Sequence, residues 1–246
     1  MKSFLTVLLL TATSSVYGDV KGSLGNCLNN DPDKLNSCHI ELTETLRVNM
    51  RTGIPEYNVE QGEPLLIPEL QFNLNDAASK LKAEFHKNII SGLSNFIVND
   101  FRTNTERNLL FVDLTIPELS ATGQYALDGT ISLVDVESSS GDFQMTMTDV
   151  SAILVAKLSK VNGKVVIEEN PRMTIKVKEG NMKVNMENLF GGKAPNLAEV
   201  VHTVINRSPD LFLEDFKPVL RIHIGGMLKN LFNAVADNVD PAIYGL

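Results

Sequence analysis

Apolar residues recur at every second position over most of the stretch from residue 64 to about 187, and this period of two predicts strands. In "LLFVDLTIPEL" the apolar parity is even, with Leu110, Val112, Leu114 and Ile116. In "LSATGQYALDGTISL" it is odd, with Ala121, Tyr125, Leu127, Ile131 and Leu133. One face is apolar and the other polar, which predicts an antiparallel sheet wetted on one side. Phe143, Met145 and Met147 are odd, whereas Val150, Ala152, Leu154 and Ala156 are even. That change of parity predicts a β-bulge near Asp149. Asn162-Gly163 is a two-residue hairpin signal. Met173, Ile175 and Val177 are expected to face Met182, Val184 and Met186 across a turn at Glu179-Gly180-Asn181.

The C-terminal third changes period. Pro195 opens a short helix with Leu197, Val200, Val201, Val204 and Ile205 inward, and Ser208-Pro209 signals a second start. Apolar residues then recur at helical spacing from Phe212 to Val239, and one helix from 209 to 239 would be about 45 Å long. Pro218 is expected to kink it, and Gly225-Gly226 is costly in mid-helix unless something packs close. Strands this long must cover something of similar length, and the C-terminal helix is the one long partner. A curved sheet along one helix follows. The stretch "DAASKLKAEFHKNII" is ambiguous: its composition favours helix, while the alternation of Leu81, Ala83 and Phe85 favours strand. Methionines on the apolar faces (Met145, Met147, Met173, Met182, Met186) suit an adaptable cavity lining and an ordinary core equally well.

Residues 1–18 have the layout of a secretory leader, with Lys2, an apolar run from Phe4 to Ala12, and small residues before Asp19. The run is too short to span a bilayer. The expected mature chain, residues 19–246, has about 228 residues and is read as one extracellular domain. Without Lys2 it carries 21 basic and 30 acidic residues, a net charge of −9. An acidic surface argues against nucleic acid and anionic lipid as partners, and no stable membrane insertion is expected. In an oxidising compartment Cys27 and Cys38 are expected to pair as a structural disulfide, tying the N-terminal tail to a first helix. Asp31-Pro32 would cap that helix, Leu35, Cys38, Leu42 and Leu46 would share a face, and Gly53 and Pro55 would end it.

Candidate chemistry adds little. His39, His86, His202 and His223 form no metal-binding spacing, and no G-x-S-x-G is present. "FGGK" at 190–193 lacks the first glycine and the Ser/Thr of a phosphate loop. No metal, cofactor or catalytic residue is assigned, and an enzyme is not expected. Asn206-Arg207-Ser208 is a formal glycosylation sequon, with Pro209 following.

Taken in order, several blocks are specific. "GIPEYNV", "GEPLLIPEL", "GLSNFIV", "LTIPELSATGQYALDG", "LFGGK" and "VINRSPDLFLEDFKPVL", after the short cysteine loop with Asp31-Pro32, resemble the takeout/juvenile hormone-binding protein family over nearly the whole mature chain. The resemblance implies an α+β fold: an elongated wrap of highly curved antiparallel sheet around a long C-terminal helix, with an internal hydrophobic cavity. It also implies that residues 80–90 are strand. The chain lacks the second disulfide of the classical hormone-binding members, has no tryptophan, and keeps only Gly141 of a glycine-rich turn in "ESSSGDF".

The function implied is a secreted, monomeric insect carrier of a small lipophilic ligand, such as a terpenoid or fatty-acyl chain. The alternative is a secreted protein acting through surface contacts with a partner, its cavity filled or vestigial. Tyr125 is the candidate polar contact, since its hydroxyl needs a partner in ligand or backbone. Phe143, Phe190, Ile224, Leu228, Leu231 and Phe232 are candidate lining residues by parity or helix face.

Overall fold

The computed structural model describes residues 44, 46–55, 58–75, 80–131, 134–136, 139–236, 241–244 and 246. The expected leader, the Cys27–Cys38 pair and the start of the first helix lie outside these residues.

Among the described residues nine strands form one antiparallel sheet: β1 (Leu65–Asn75), β2 (Lys80–Ser91), β3 (Ile97–Asn104), β4 (Leu109–Ile131), β5 (Val134–Asp135), β6 (Ser139–Val161), β7 (Lys164–Ile167), β8 (Arg172–Lys176) and β9 (Met182–Met186). Helix α1 covers 46–52, α2 Pro195–Arg207 and α3 Pro209–Val235. Residues 80–91 are strand, so the alternation of Leu81, Ala83 and Phe85 prevails over their helical composition. Burial on one face of a sheet outweighs a propensity difference of a few tenths of a kcal/mol per residue.

Two 23-residue strands, β4 and β6, form the spine. They pair from Leu109–Lys157 to Leu127–Ser139 in unbroken register. The expected change of parity is present, but not as an inserted residue. Both strands change inward face at the same level: Ile116 and Leu119 are buried on β4, Val150 and Met147 on β6. Asp149 adopts a left-handed φ of 49° there, facing Pro117. The flanking strands explain why this is tolerated. On the outer edge of β4, β3 pairs up to Thr115 and β2 begins at Ser120. The missing N–H of Pro117 therefore falls in a gap between neighbours. On β6, β8 and β9 likewise stop on either side of Asp149. A true register shift occurs elsewhere, in β2 between His86 and Ile89, where Lys87 has φ 53°.

β8 and β9 do not form the expected hairpin. Each pairs with β6, at Val155–Ser151 and Met147–Phe143 respectively, so they are two pieces of one interrupted edge strand. Asn162 and Gly163 do close a two-residue β6–β7 hairpin, both with positive φ, as a type I′ turn requires.

Several blocks of the sequence are explained by the contacts they make. Gly53 ends α1 at φ 72°, and its N–H donates to Asn49 O at 2.8 Å. The Glu63 carboxylate accepts from the backbone N–H groups of Gly92 and Ser94, at 2.8 and 2.9 Å. Arg51 donates to Ser94 Oγ and Asn95 Oδ1, each at 2.9 Å, so α1 is tied to the same turn.

Helix α3 closes the curl. It contacts β1 at one end of the sheet and β7 and β8 at the other. Its 27 residues span roughly 40 Å. The helix continues through Pro218 to Val235, and the expected end at Val239 lies outside the described residues. At Gly225 and Gly226 side chains would begin 3.5 Å from Asn170 Cβ and 3.6 Å from Asn170 Nδ2, ordinary van der Waals distances, so the contact with Asn170 does not itself require glycine. Asn233 staples the helix to β7, accepting from Ile167 N at 2.8 Å and donating to Ile167 O at 3.0 Å. Asn233→Ala removes both bonds and is expected to cost about 2 kcal/mol, read as a lower urea midpoint with an unchanged slope.

Candidate functional site

The curl of the sheet leaves a cavity of about 620 Å³ between its inner face and the helices. The lining runs along β4 from Leu110 to Leu127 and along β6 from Phe143 to Ala156, across the change of parity. Keeping the inward face apolar through that switch makes one continuous lumen. Helix α3 contributes Leu213, Phe216, Leu220, Ile224, Met227, Leu228 and Phe232.

Chemically, the lining is almost uniform. Six methionines (Met50, Met145, Met147, Met173, Met186, Met227) give it adaptable walls. Four phenylalanines cluster at one region: Phe72 and Phe85 stack at 5.8 Å, Phe216 meets both edge-on at 5.0 and 5.7 Å, and Phe143 meets Phe85 at 5.3 Å. Among the described residues Asn88 is the sole polar side chain of the lining, and no charged side chain belongs to it.

Of the residues singled out in the sequence, Phe143, Phe190, Ile224, Leu228 and Phe232 line the cavity. Leu231 and Tyr125 do not. Leu231 is buried at 1% exposure among core residues. Tyr125 is inward and buried, but its hydroxyl donates to Glu187 O at 2.5 Å, so its partner is backbone rather than guest. Burial, with the Glu187 charge as a smaller cause, pushes its pKa up to about 12 and keeps it a donor. Met182 is core and outside the lining, whereas Met50 and Met227, not anticipated, belong to it. Phe72, Phe85, Phe216 and Asn88 were also missed. The alternation at Leu81, Ala83 and Phe85 was the signal that could have found Phe85.

The different places of Leu231 and Leu228 give a measurable contrast. Leu231→Ala is expected to cost about 2–5 kcal/mol, because it opens a void in packed core. Leu228→Ala, at the cavity wall, should cost less than about 2 kcal/mol and enlarge the lumen for bulkier guests. Urea denaturation beside ligand titration distinguishes the two.

Helix α2 borders the cavity's connection to solvent. Val200 and Val204 are 56% and 60% exposed yet also line the cavity, and no residue of α2 is buried. The helix is held to β9 by side-chain acceptors one turn apart. His202 Nε2 accepts from Met186 N at 3.1 Å, and Asn206 Oδ1 accepts from Val184 N at 2.8 Å. Burial lowers the His202 pKa, which favours the neutral ring that can accept. Asn206 of the sequon is thus half-buried with its oxygen engaged, unlike the surface-loop asparagine of a usual acceptor. The adjoining turn carries three consecutive left-handed residues, Phe190, Gly191 and Gly192, and Phe190 N–H donates to the buried Ser139 Oγ at 2.8 Å.

Among the described residues no group of three or more His, Cys, Asp or Glu is placed to hold a metal ion, and no helix is long and apolar enough to cross a membrane.

The fold and site together define a class: a β-wrap around a long helix, enclosing an apolar cavity. The family model described as haemolymph juvenile hormone binding protein (JHBP) matches residues 5–241. The chain therefore belongs to the takeout/juvenile hormone-binding protein family. Its fold resembles the crystal structure of Epiphyas postvittana Takeout 1, at 20% identity and a TM-score of 0.69, covering 84% of this chain and 94% of that one. A lipopolysaccharide binding protein structure is a weaker likeness, at 13% identity and a TM-score of 0.40, covering 79% of this chain and 37% of that one. No curated protein matches the sequence.

Proposed function

We propose that this chain is a secreted, monomeric carrier that sequesters one small lipophilic molecule, a terpenoid or fatty-acyl compound, inside the cavity. The observation that carries this reading is the 620 Å³ lumen, whose lining among the described residues is apolar but for Asn88. That volume falls within the range of small-molecule sites. At about 25 cal/mol per Å², burying a few hundred Å² of guest would support micromolar affinity or better after the costs of association. The family's name supports the same chemistry. Under this reading residues 1–18 direct export, Cys27–Cys38 staples the N-terminal tail, residues 19–246 form the carrier, and no catalytic step is involved.

A protein acting through its surface would need an exposed apolar patch. The cross-strand pair Leu66 and Ile89, 64% and 42% exposed, and the pair Val200 and Val204 on α2 are the observations in its favour. Each is two side chains, well short of the several hundred Å² such a patch usually covers.

Thermal unfolding with a panel of terpenoids and fatty-acyl compounds tests the carrier. A true guest at a hundred times its Kd adds about 2.7 kcal/mol, raising Tm by roughly 5–10 °C for a domain of this size. A Tm unmoved by every member of the panel would count against it.

A further inference from the structure

Among the described residues, the lining contains one unsatisfied polar atom. Asn88 is 3% exposed, on the bulged stretch of β2. Its Nδ2 donates to Ile67 O at 3.0 Å and to Phe85 O at 3.1 Å. Both amide hydrogens are therefore used, and the two carbonyls fix the orientation of the carboxamide: a flipped amide would set oxygen against oxygen. Oδ1 is left buried with no hydrogen-bond partner. Such an atom is costly unless something donates to it.

The surroundings indicate what could. A side chain at Gly123 would begin 3.0 Å from Asn88 Oδ1 and 2.8 Å from Phe143 Cε1. Gly123 thus provides the room that Asn88 and the Phe143 ring share. Phe143 is half-buried, belongs to the lining, and is the neighbour that can turn aside to uncover the oxygen. Asn88 Oδ1 only accepts, so its partner must carry an O–H or N–H. With no cation in the described lining, a buried carboxylate would lack a counter-charge.

We propose that Asn88 Oδ1 is the polar anchor of the cavity, and that the guest it selects is a neutral lipophilic alcohol. The hydroxyl lies beside the Phe85–Phe143 cluster and the chain runs past the parity switch toward Leu114 and Ala152. This deepens the carrier reading and rests on it. An ester, ketone or ether of equal length fills the lumen but leaves the oxygen unpaired.

The test is displacement of the neutral fluorophore N-phenylnaphthylamine from the mature protein by tetradecanol and by methyl tetradecyl ether. Tetradecanol is expected to displace it at a roughly tenfold lower concentration, and Asn88→Ala should erase that difference. Equal potency on the native protein would overturn the anchor while leaving the carrier intact, the oxygen then being met by a trapped water. If the fluorophore and both competitors fail to bind, the carrier reading falls and the anchor with it. Should Asn88→Ala fail to fold, the matched pair on the native protein decides alone.

Discussion

Replacing Ala152 by phenylalanine is expected to abolish uptake of long-chain guests while leaving the fold in place. Ala152 is buried on β6, with Leu114 of β4 and Ile175 of β8 as its cross-strand partners. All three line the cavity near the level where β4 and β6 change inward face, so the small methyl keeps the lumen open there. A ring would occupy that space and divide the cavity in two. In a filled core such overpacking costs about 1–3 kcal/mol; here the ring enters an existing void, and the cost should sit at the low end. Each 100 Å² of guest surface excluded forfeits about 2.5 kcal/mol, a roughly seventyfold loss of affinity. Short guests confined to the aromatic end should still bind. Fluorophore displacement across a chain-length series, with urea denaturation as control, would show it. Undiminished affinity for the longest chains would mean that they do not pass Ala152.

Gly129→Ala is expected to be the most destabilising single methyl added to the spine. Gly129 sits near the end of β4 with φ 124°, where L side chains are strained. A Cβ there would lie 2.0 Å from Lys80 O, a backbone atom of β2 held in the β2–β4 ladder. Nothing flexible can move aside. Strain of this kind together with loss of the local ladder should exceed about 4 kcal/mol, a large part of a typical domain's stability. Equilibrium unfolding in urea measures it. A loss under about 1 kcal/mol would mean that β2 can slide away from β4.

Period-two parity gave the long strands, and the Asn162-Gly163 signal gave its hairpin. Both are local patterns that a one-sided sheet enforces. The β8–β9 arrangement was not legible, because two short alternating runs around a turn look alike whether they pair with each other or with a third strand. The parity switch was visible but misread: a flip in β6 alone suggests a bulge, whereas the even run from Leu110 to Ile116 and the odd run from Ala121 to Leu127 are seen to be one strand with a matching flip only once the register is known. At the site, parity and helix face identified five lining residues but could not separate lining from core, as Leu231 and Tyr125 show. Both point inward, and whether an inward residue meets a neighbour or a void depends on the curvature of the whole sheet. Asn88 was hidden for a related reason. It is recognisable only through the two carbonyls that claim its nitrogen, and both are set by the β1–β2 pairing and the bulge at Lys87.

The most direct test of the central claim, that the lumen holds a single lipophilic guest, is native mass spectrometry of the chain purified from insect-cell medium. Solvent extraction would follow, to identify what is released. The account predicts near-stoichiometric small lipophile on the native protein, and the loss of any long-chain guest from the Ala152→Phe variant. A bare native chain that also takes up no alcohol, terpenoid or fatty-acyl compound offered to it would contradict the account.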